Sequence, residues 1–576
     1  MPAMPGGSEY DSLASRSSDK PDPPHRAMVQ WYRPGLWLST GVQVLISTIL
    51  GQRFDYRLME RAAGVRVPGA ARRPTERGGD QIVDVAAFDY TGHAGNGPFY
   101  FDYLADTGDG WNPTYAIASL VSQDEIQIGD QRLPRGAFLL MGGDEVYPDG
   151  SKTNYRERLV APFSEAWGTQ PVPPGLSLFA IPGNHDWYDG LISFSRQFRP
   201  GRHVGGWTTA QTRSYFAIRL PYQWWLWAVD IQLEADIDIG QRDYFEKIAA
   251  DLKRGDRVIM ASAEPDWLYR DIKDPAVESN LGYLESQIVR PRGADVYVWL
   301  AGDLHHYRRH ARLDDSRYQR IVCGGGGAYL SPTHQSVLGP AGNVARRTVE
   351  VGSIRYEQQC AFPQASTSWR LSLLNFFFLF RNWPAGLLMG LFYTSATWLH
   401  PENPINLEQF LSDPARLLWG LLVAGAATFF SYSSGRDGRS FRLIGGLAHA
   451  AAHISLALYI AHLSYHLCKG FDDKLYFLLA QVGLNYLGGA ICGPILLGIY
   501  LLIAANVFGA HTDEAFSALR IEDYKAFLRL RISADGMLEI FPIGVPRVPR
   551  DGEARGEYLL IEGPVRVRPR VAGPAA

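Results

Sequence analysis

The sequence predicts an α/β domain over residues 80–350 and an all-helical apolar domain over 370–509. Three observations carry that reading. Between residues 80 and 330, short apolar runs alternate with helical stretches, and most of the runs end at once in a polar, Gly- and Asp-bearing cluster. Charged side chains lie mainly before residue 370. Beyond it come four long, nearly uncharged runs of the kind that cross bilayers.

Composition narrows the function classes. The 576 residues correspond to about four domain-sized units. Lys+Arg number 56 against 59 Asp+Glu, and this net charge of −3 argues against a nucleic-acid-binding protein working through a basic surface. Hydrophobic residues make up 46%, which excludes a mostly disordered chain and supplies a large core. Cys323, Cys360, Cys468 and Cys492 form no CxxC pair, so neither a zinc ribbon nor a disulfide framework is expected, in keeping with a reducing compartment.

Residues 1–30, rich in Ser, Pro, Asp and Gly, read as a disordered tail. Residues 31–52 read as an N-terminal transmembrane helix built on the apolar run Gly35–Leu50. A signal peptide fits less well, because the long lead-in contains Asp and Glu and no small-x-small cleavage site follows. Strands are expected at Phe99–Leu104, Phe138–Met141, Leu176–Ile181, Val258–Ala261 and Val296–Leu300. In layered α/β folds, catalytic groups gather on loops at the carboxyl ends of strands, so the clusters after these runs point to one shared site.

Leu371–Leu399, Leu417–Tyr432, Leu443–Leu467 and Leu475–Phe508 give four or five spans. The last is either one over-long helix or two short ones parted at Gly488-Gly489 or Gly493-Pro494. Arg436, Arg439 and Arg442 place loop 433–442 in the cytoplasm, and counting back two spans puts the 80–350 domain there too. Within 510–550, Phe527–Phe541 reads as a β-hairpin turning at Asp535-Gly536. Docking of that hairpin on the α/β domain requires an even number of spans, which favours four. Residues 551–576 read as a tail.

Four clusters carry chemistry: Ala105–Gly110, Gly143–Tyr147, Gly183–Asp186 and Gly302–His306. Each alone is common turn chemistry. Together, in order and each after a strand, they offer carboxylates, a phenol oxygen, an amide oxygen and imidazole, a donor set suited to two first-row metal ions. A carboxylate bridging ions about 3.5–4 Å apart makes a two-metal site for in-line attack on phosphorus.

The motifs Gly143-Asp-Glu-Val-Tyr147, Gly183-Asn-His-Asp186 and Gly302-Asp-Leu-His-His306 resemble those of the calcineurin-like metallophosphoesterases over roughly residues 80–335. The Gly-rich Cys323–Ala328 segment matches that family's closing strand and turn. The resemblance implies a four-layer α/β/β/α sandwich and a cofactor of two metal ions (Fe, Mn or Zn). The first motif, Asp106-Thr107-Gly108, lacks the usual His, and Tyr147 follows Asp144 by three residues. This combination is similar to the purple acid phosphatases. By that resemblance Asp106, Asp144, Tyr147 and His305 hold the first metal, Asp144 bridges, and Asn184 binds the second. His185 contacts the phosphate or protonates the leaving group, steadied by Asp186. Two positions depart from the family pattern, and Asp303 and Glu264 stand where an imidazole is usual. Asp109 is expected in an outer shell or a turn. His306 is expected behind the ligands, since adjacent strand residues face opposite ways. His334 is placed near the pocket.

The expected function is hydrolysis of a phosphate ester by a membrane-anchored enzyme, and anchoring beside the site points toward a lipid-linked substrate. The expected partners are that substrate and the lipid bilayer, with no nucleic acid. The missing imidazoles motivate an alternative, a membrane receptor whose degenerate domain binds a phosphorylated ligand without turnover. His449, His453, His462 and His466 form two i,i+4 pairs on nearly opposite faces of one span, either helix–helix hydrogen-bonding groups or a second metal or proton-relay site.

Overall fold

A computed structural model of the chain describes residues 24–36, 87–231, 237–273, 279–334, 348–399, 407–433, 439–550, 553 and 556–569. The expected N-terminal helix beyond residue 36, residues 434–438 of the expected loop 433–442 and the extreme tails lie outside the described residues.

The fold is mixed α/β with two large sheets and a set of apolar helices. All five expected strands form: Phe99–Leu104, Phe138–Met141, Ser177–Ala180, Arg257–Ser262 and Asp295–Ala301. In the first sheet Phe99–Leu104, Phe138–Met141 and Ser177–Ala180 run parallel side by side. In the second, Trp224–Val229, Arg257–Ser262, Asp295–Ala301 and Gln319–Cys323 do the same. Their side chains alternate with the two-residue period of a strand. Phe101, Tyr103, Phe138 and Leu140 enter a cluster shared with Phe216, Leu226 and Ile259 of the other sheet. Leu104, Leu139 and Met141 face the opposite way, onto Ile117, Phe163 and Phe194 of helical segments. The far side of the second sheet packs Trp227, Met260 and Trp299 against Phe245 and Ile288. Strands buried on both faces read as continuous apolar runs, which is why they were legible in the sequence. Each fully buried aromatic contributes about 1.5–3 kcal/mol.

The C-terminal hairpin is part of this core. Lys525–Ile532 and Leu538–Val545 pair antiparallel around the Asp535-Gly536 turn. The first of them pairs with Phe99–Leu104, with Leu528 opposite Tyr103 and Ile532 opposite Phe99. Arg529, fully buried, donates from Nε to Asp102 at 2.7 Å, from Nη2 to the same carboxylate at 3.1 Å, and from Nη1 to the Leu133 carbonyl at 2.7 Å. The first sheet therefore draws strands from both sides of the apolar region.

Among the described residues, three helices are long and apolar enough to cross a membrane: Pro414–Ser431, Leu443–Cys468 and Lys474–Phe508. The last runs unbroken through both glycine positions that were plausible breaks, with Pro494 inside it. The expected span Leu371–Leu399 is instead a series of short helical pieces. Asn382 interrupts it: its amide donates to the Phe378 carbonyl at 3.3 Å and to the Ala518 carbonyl at 3.1 Å, so the helix restarts at Trp383. The Trp383–Thr394 helix meets the long helix through glycines, Gly386 against Ala490 and Gly390 against Tyr486.

Residues 24–30 also differ from the expected tail. Met28 and Val29 are buried, and the Val29 amide donates to Asp109 Oδ1 at 2.8 Å. Two apolar side chains and one carboxylate acceptor hold a segment whose composition alone reads as unstructured.

Candidate functional site

The four clusters converge where strands end. Asp106 follows Phe99–Leu104, Asp144 follows Phe138–Met141, Asn184 follows Ser177–Ala180 and Asp303 follows Asp295–Ala301. Their loops are knitted by backbone bonds: Asp106 N to Gly143 O at 2.9 Å, Thr107 N to Asp144 O at 3.0 Å and Gly302 N to Ala263 O at 3.0 Å. Asp106, Asp144 and Asp303 all occupy left-handed backbone, with φ of 58°, 51° and 65°. Such residues cost about 1–3 kcal/mol each and cluster where structure serves function. Glycines beside them leave no room for a side chain: a Cβ on Gly183 would strike Asp144, and one on Gly302 would strike Asp106.

The Tyr147 hydroxyl is the hub. It lies 3.0 Å from Asp106 Oδ1, 3.3 Å from Asp144 Oδ2 and 3.1 Å from His305 Nε2. His305 Nε2 is also 3.5 Å from Asp106 Oδ1. All four side chains are buried. Burial raises the pKa of Asp106 and Asp144 well above the ordinary carboxylate range, and neighbouring carboxylates, Asp303 among them, push the same way. Burial and these anions also push the Tyr147 phenol up.

The other expected residues are held differently. The Asn184 amide donates to Tyr188 Oη at 3.2 Å. Asp303 presents its backbone amide to Asp106, at 2.9 Å from Oδ2, while its carboxylate accepts from Tyr269. Glu264 is half-buried and near enough to Asp144 to raise its pKa. His185 donates its backbone amide to Asp144 Oδ1 at 2.9 Å. Its Nδ1 lies 2.8 Å from the Pro148 carbonyl, so that carbonyl orients the ring. Burial lowers the His185 pKa. Asp186 turns its carboxylate to Gly183 N at 2.9 Å, Glu145 N at 3.3 Å and the Tyr155 hydroxyl, fixing the loop rather than hydrogen-bonding the His185 ring.

Asp109 accepts from Val29 N and, at 3.1 Å, from Tyr329 N, and burial raises its pKa to about 6. It is a fastening point for two segments. His306 is fully buried with Nδ1 3.3 Å from the Ser331 carbonyl. His334 departs from the expectation: its two nitrogens lie 2.8 Å from Ser368 Oγ and 3.1 Å from Asn506 Oδ1, which tie it to the apolar helices rather than to the pocket.

Three neighbours escaped sequence reasoning. Tyr329 packs edge-on to His305 with centroids 4.5 Å apart. Trp31 meets His185 at 5.7 Å and Tyr147 at 6.3 Å. Lys525, buried, donates to the Ala328 carbonyl, and burial brings its pKa down to about 8. Tyr329 directly follows the Gly-rich turn and was readable as its continuation; Trp31 and Lys525 carry no local signal.

The donor set of Asp106, Asp144, Tyr147 and His305 fits a hard first-row cation chemically, since a positive charge among mutually repelling buried carboxylates stabilises their ionised form. Among the described residues, however, no group of three or more His, Cys, Asp or Glu side chains stands ready-made around a common point, and the tyrosine oxygen occupies the centre.

No protein-family model matches the chain, and no curated protein matches it. Among solved structures, GAP50, the anchor in the inner membrane complex of Plasmodium, is similar at 12% identity and TM-score 0.30, over 41% of this chain and 74% of that one. The purple acid phosphatase PPD1 of yellow lupin (Lupinus luteus) seeds is similar at 14% identity and TM-score 0.25, over 46% of this chain and 48% of that one. PhoD is similar at 10% identity and TM-score 0.26, over 40% of this chain and 58% of that one. The chain thus spans only about half the length of the latter two.

Proposed function

We propose that the chain is a membrane-anchored phosphoesterase of four-layer α/β/β/α architecture that hydrolyses a phosphate ester with two metal ions. The observation that carries this reading is the gathering of Asp106, Asp144 and His305, from three separate loops, on the Tyr147 oxygen. Asp106, Asp144, Tyr147 and His305 would hold one ion; Asp144, Asn184, Asp303 and Glu264 would hold a second. Bound there, the ions would supply a nucleophile from water and Lewis acidity toward the phosphoryl oxygens.

The chain's own side chains have separate tasks. His185, its ring oriented by an Nδ1–H bond to the Pro148 carbonyl, would present Nε2 to the substrate; a bound phosphate anion favours the imidazolium form, whose Nε2 proton would pass to the leaving oxygen. Asp186 keeps the His185 loop closed from behind. Asp303 N donates to Asp106 and keeps that carboxylate aimed inward. Hydrolysis of an aryl phosphate by the full chain, dependent on added Mn²⁺, Fe or Zn²⁺ and abolished in Asp144→Ala and His185→Ala, is the expected result. Turnover that persists in both variants would overturn the reading.

The receptor reading draws on a specific observation. Asn184 and Asp303, expected around the second ion, are engaged by Tyr188 and Tyr269. Tight binding of a phosphorylated ligand with metal present and no turnover would favour it.

Anchoring follows from chain order. Strands Ile354–Phe362 and Lys525–Ile532 lie in the sheets of one α/β body, so the crossings between them are even in number. We take Trp383–Leu399, about 25 Å long at helical rise, as a fourth crossing beside the three long apolar helices found among the described residues. We place the α/β body in the cytoplasm, from Arg436 and from Arg439 and Arg442 in the first turn of the helix Arg439–Cys468. A reporter fused after Ala576 should be active in the cytoplasm; activity on the opposite side would reverse the orientation.

A further inference from the structure

We infer that the substrate is a phosphate ester whose alcohol portion is embedded in the bilayer, so that the site works at headgroup depth. The inference rests on the hydrolase reading and adds the substrate class. Two aromatic side chains form the wall between the site and the apolar helices. Tyr329, edge-on to His305 at 4.5 Å, belongs to the same apolar cluster as Phe378, Leu497, Leu501 and Ala505. Tyr329 therefore joins the surroundings of the imidazole to a cluster that includes residues of the helical bundle. Trp31 lies against His185 and Tyr147, while its neighbour Tyr32 is edge-on to Phe378 at 4.8 Å and donates to the Glu514 carbonyl at 3.1 Å.

The bundle end that carries this wall also carries exposed aromatics. Phe380 is 77% exposed and Trp383 is 60% exposed, and Trp369 and Phe376 are exposed beside them. Tryptophans facing outward near the ends of apolar helices, as Trp369 and Trp383 do, are enriched at the membrane–water interface. The long helix supports the same level. Lys474–Phe508 has 35 residues, about 50 Å of helix against a hydrocarbon core of about 30 Å, so one end emerges from the core. Its residues 497–505 are the ones that meet the Tyr329 cluster.

The depth of the site then selects the substrate. An ester held in the membrane by an acyl or prenyl chain carries its phosphate at the headgroup level, beside Asn184, His185 and Asp303, which remain partly exposed. Binding energy from the embedded chain holds the phosphate near the donors without further contacts. A water-soluble ester gains nothing from a wall of Trp31 and Tyr329 seated on membrane helices.

The test uses matched pairs with the full chain in phosphatidylcholine vesicles. The monoester pair is phosphatidic acid and glycerol 3-phosphate, and the diester pair is phosphatidylglycerol and glycerophosphoglycerol. Aryl phosphate hydrolysis in detergent is measured in parallel and reads the hydrolase assignment by itself. In at least one pair the lipid member should be turned over with kcat/KM about 100-fold above the soluble member. Phe380→Asp and Trp383→Asp should lower lipid turnover about tenfold and leave aryl phosphate hydrolysis unchanged. Active hydrolysis of aryl phosphate, with the soluble member of both pairs processed as well as its lipid partner, would overturn the inference while leaving the phosphoesterase reading intact. No hydrolysis of any compound would instead remove the phosphoesterase reading.

Discussion

The two halves of the candidate site are built from the same kinds of residue and are organised differently. In one half, Asp106, Asp144 and His305 meet the Tyr147 hydroxyl within 3.0–3.3 Å. In the other, Asn184 bonds to Tyr188 and the Asp303 carboxylate to Tyr269, while the charge of Glu264 raises the Asp144 pKa. A gathered set of buried donors pays its desolvation cost at folding, which suits tight retention of a cation. A set whose members already have other hydrogen-bond partners must surrender them first. The contrast teaches that motif order alone does not make a site symmetric: the Tyr147 oxygen at the centre of the first half organises it.

The comparison can be broken from its strongest side. Asp106→Asn should lower kcat/KM by about 10³-fold, whereas Asp303→Asn should lower it about tenfold, both measured with aryl phosphate. Equal losses would erase the difference between the halves. Arg529→Met attacks the platform of the gathered half, because it strands buried Asp102 on the very strand that leads to Asp106. A loss of about 3–5 kcal/mol in unfolding free energy is expected, read by denaturant titration. An unchanged midpoint would show that the C-terminal hairpin is not integral to the sheet.

Smaller effects sharpen the contrast. Tyr147→Phe removes the shared oxygen but keeps the ring, and should cost about 10–100-fold in activity together with any visible phenolate-to-iron absorption band. Tyr269→Phe frees the Asp303 carboxylate and should change activity by only about two- to threefold, while tightening the more weakly held ion as judged by chelator competition. A weaker hold in that variant would mean that Tyr269 positions Asp303 for coordination.

Much of the α/β body was legible because both-face burial leaves continuous runs such as Phe138–Met141, and because left-handed aspartates and close-approach glycines leave Gly-Asp clusters at strand ends. The hairpin at Asp535-Gly536 was equally readable, since a left-handed Gly536 is what its turn requires. Asn382 was not read as a break, because its effect depends on a carbonyl from Ala518, far along the chain. The packing of Met28 and Val29 was hidden for the same reason: their partner is the Asp109 loop. His334 looked close to the pocket in sequence, but Ser368 and Asn506 draw it toward the bundle. The two histidine pairs behaved as helical geometry requires. His449 and His453, 2.9 Å apart through their Nε2 atoms, are buried in the bundle, whereas His466 is exposed.

The measurement that bears most directly on the central claim is the metal content of the purified full-length chain after dialysis against a weak chelator, beside Asp144→Ala prepared identically. The account predicts about one first-row ion per chain retained by the wild type, about one more regained when metal is restored, and neither in the variant. A wild-type chain that neither retains nor regains metal, or a variant that binds as much as the wild type, would contradict it.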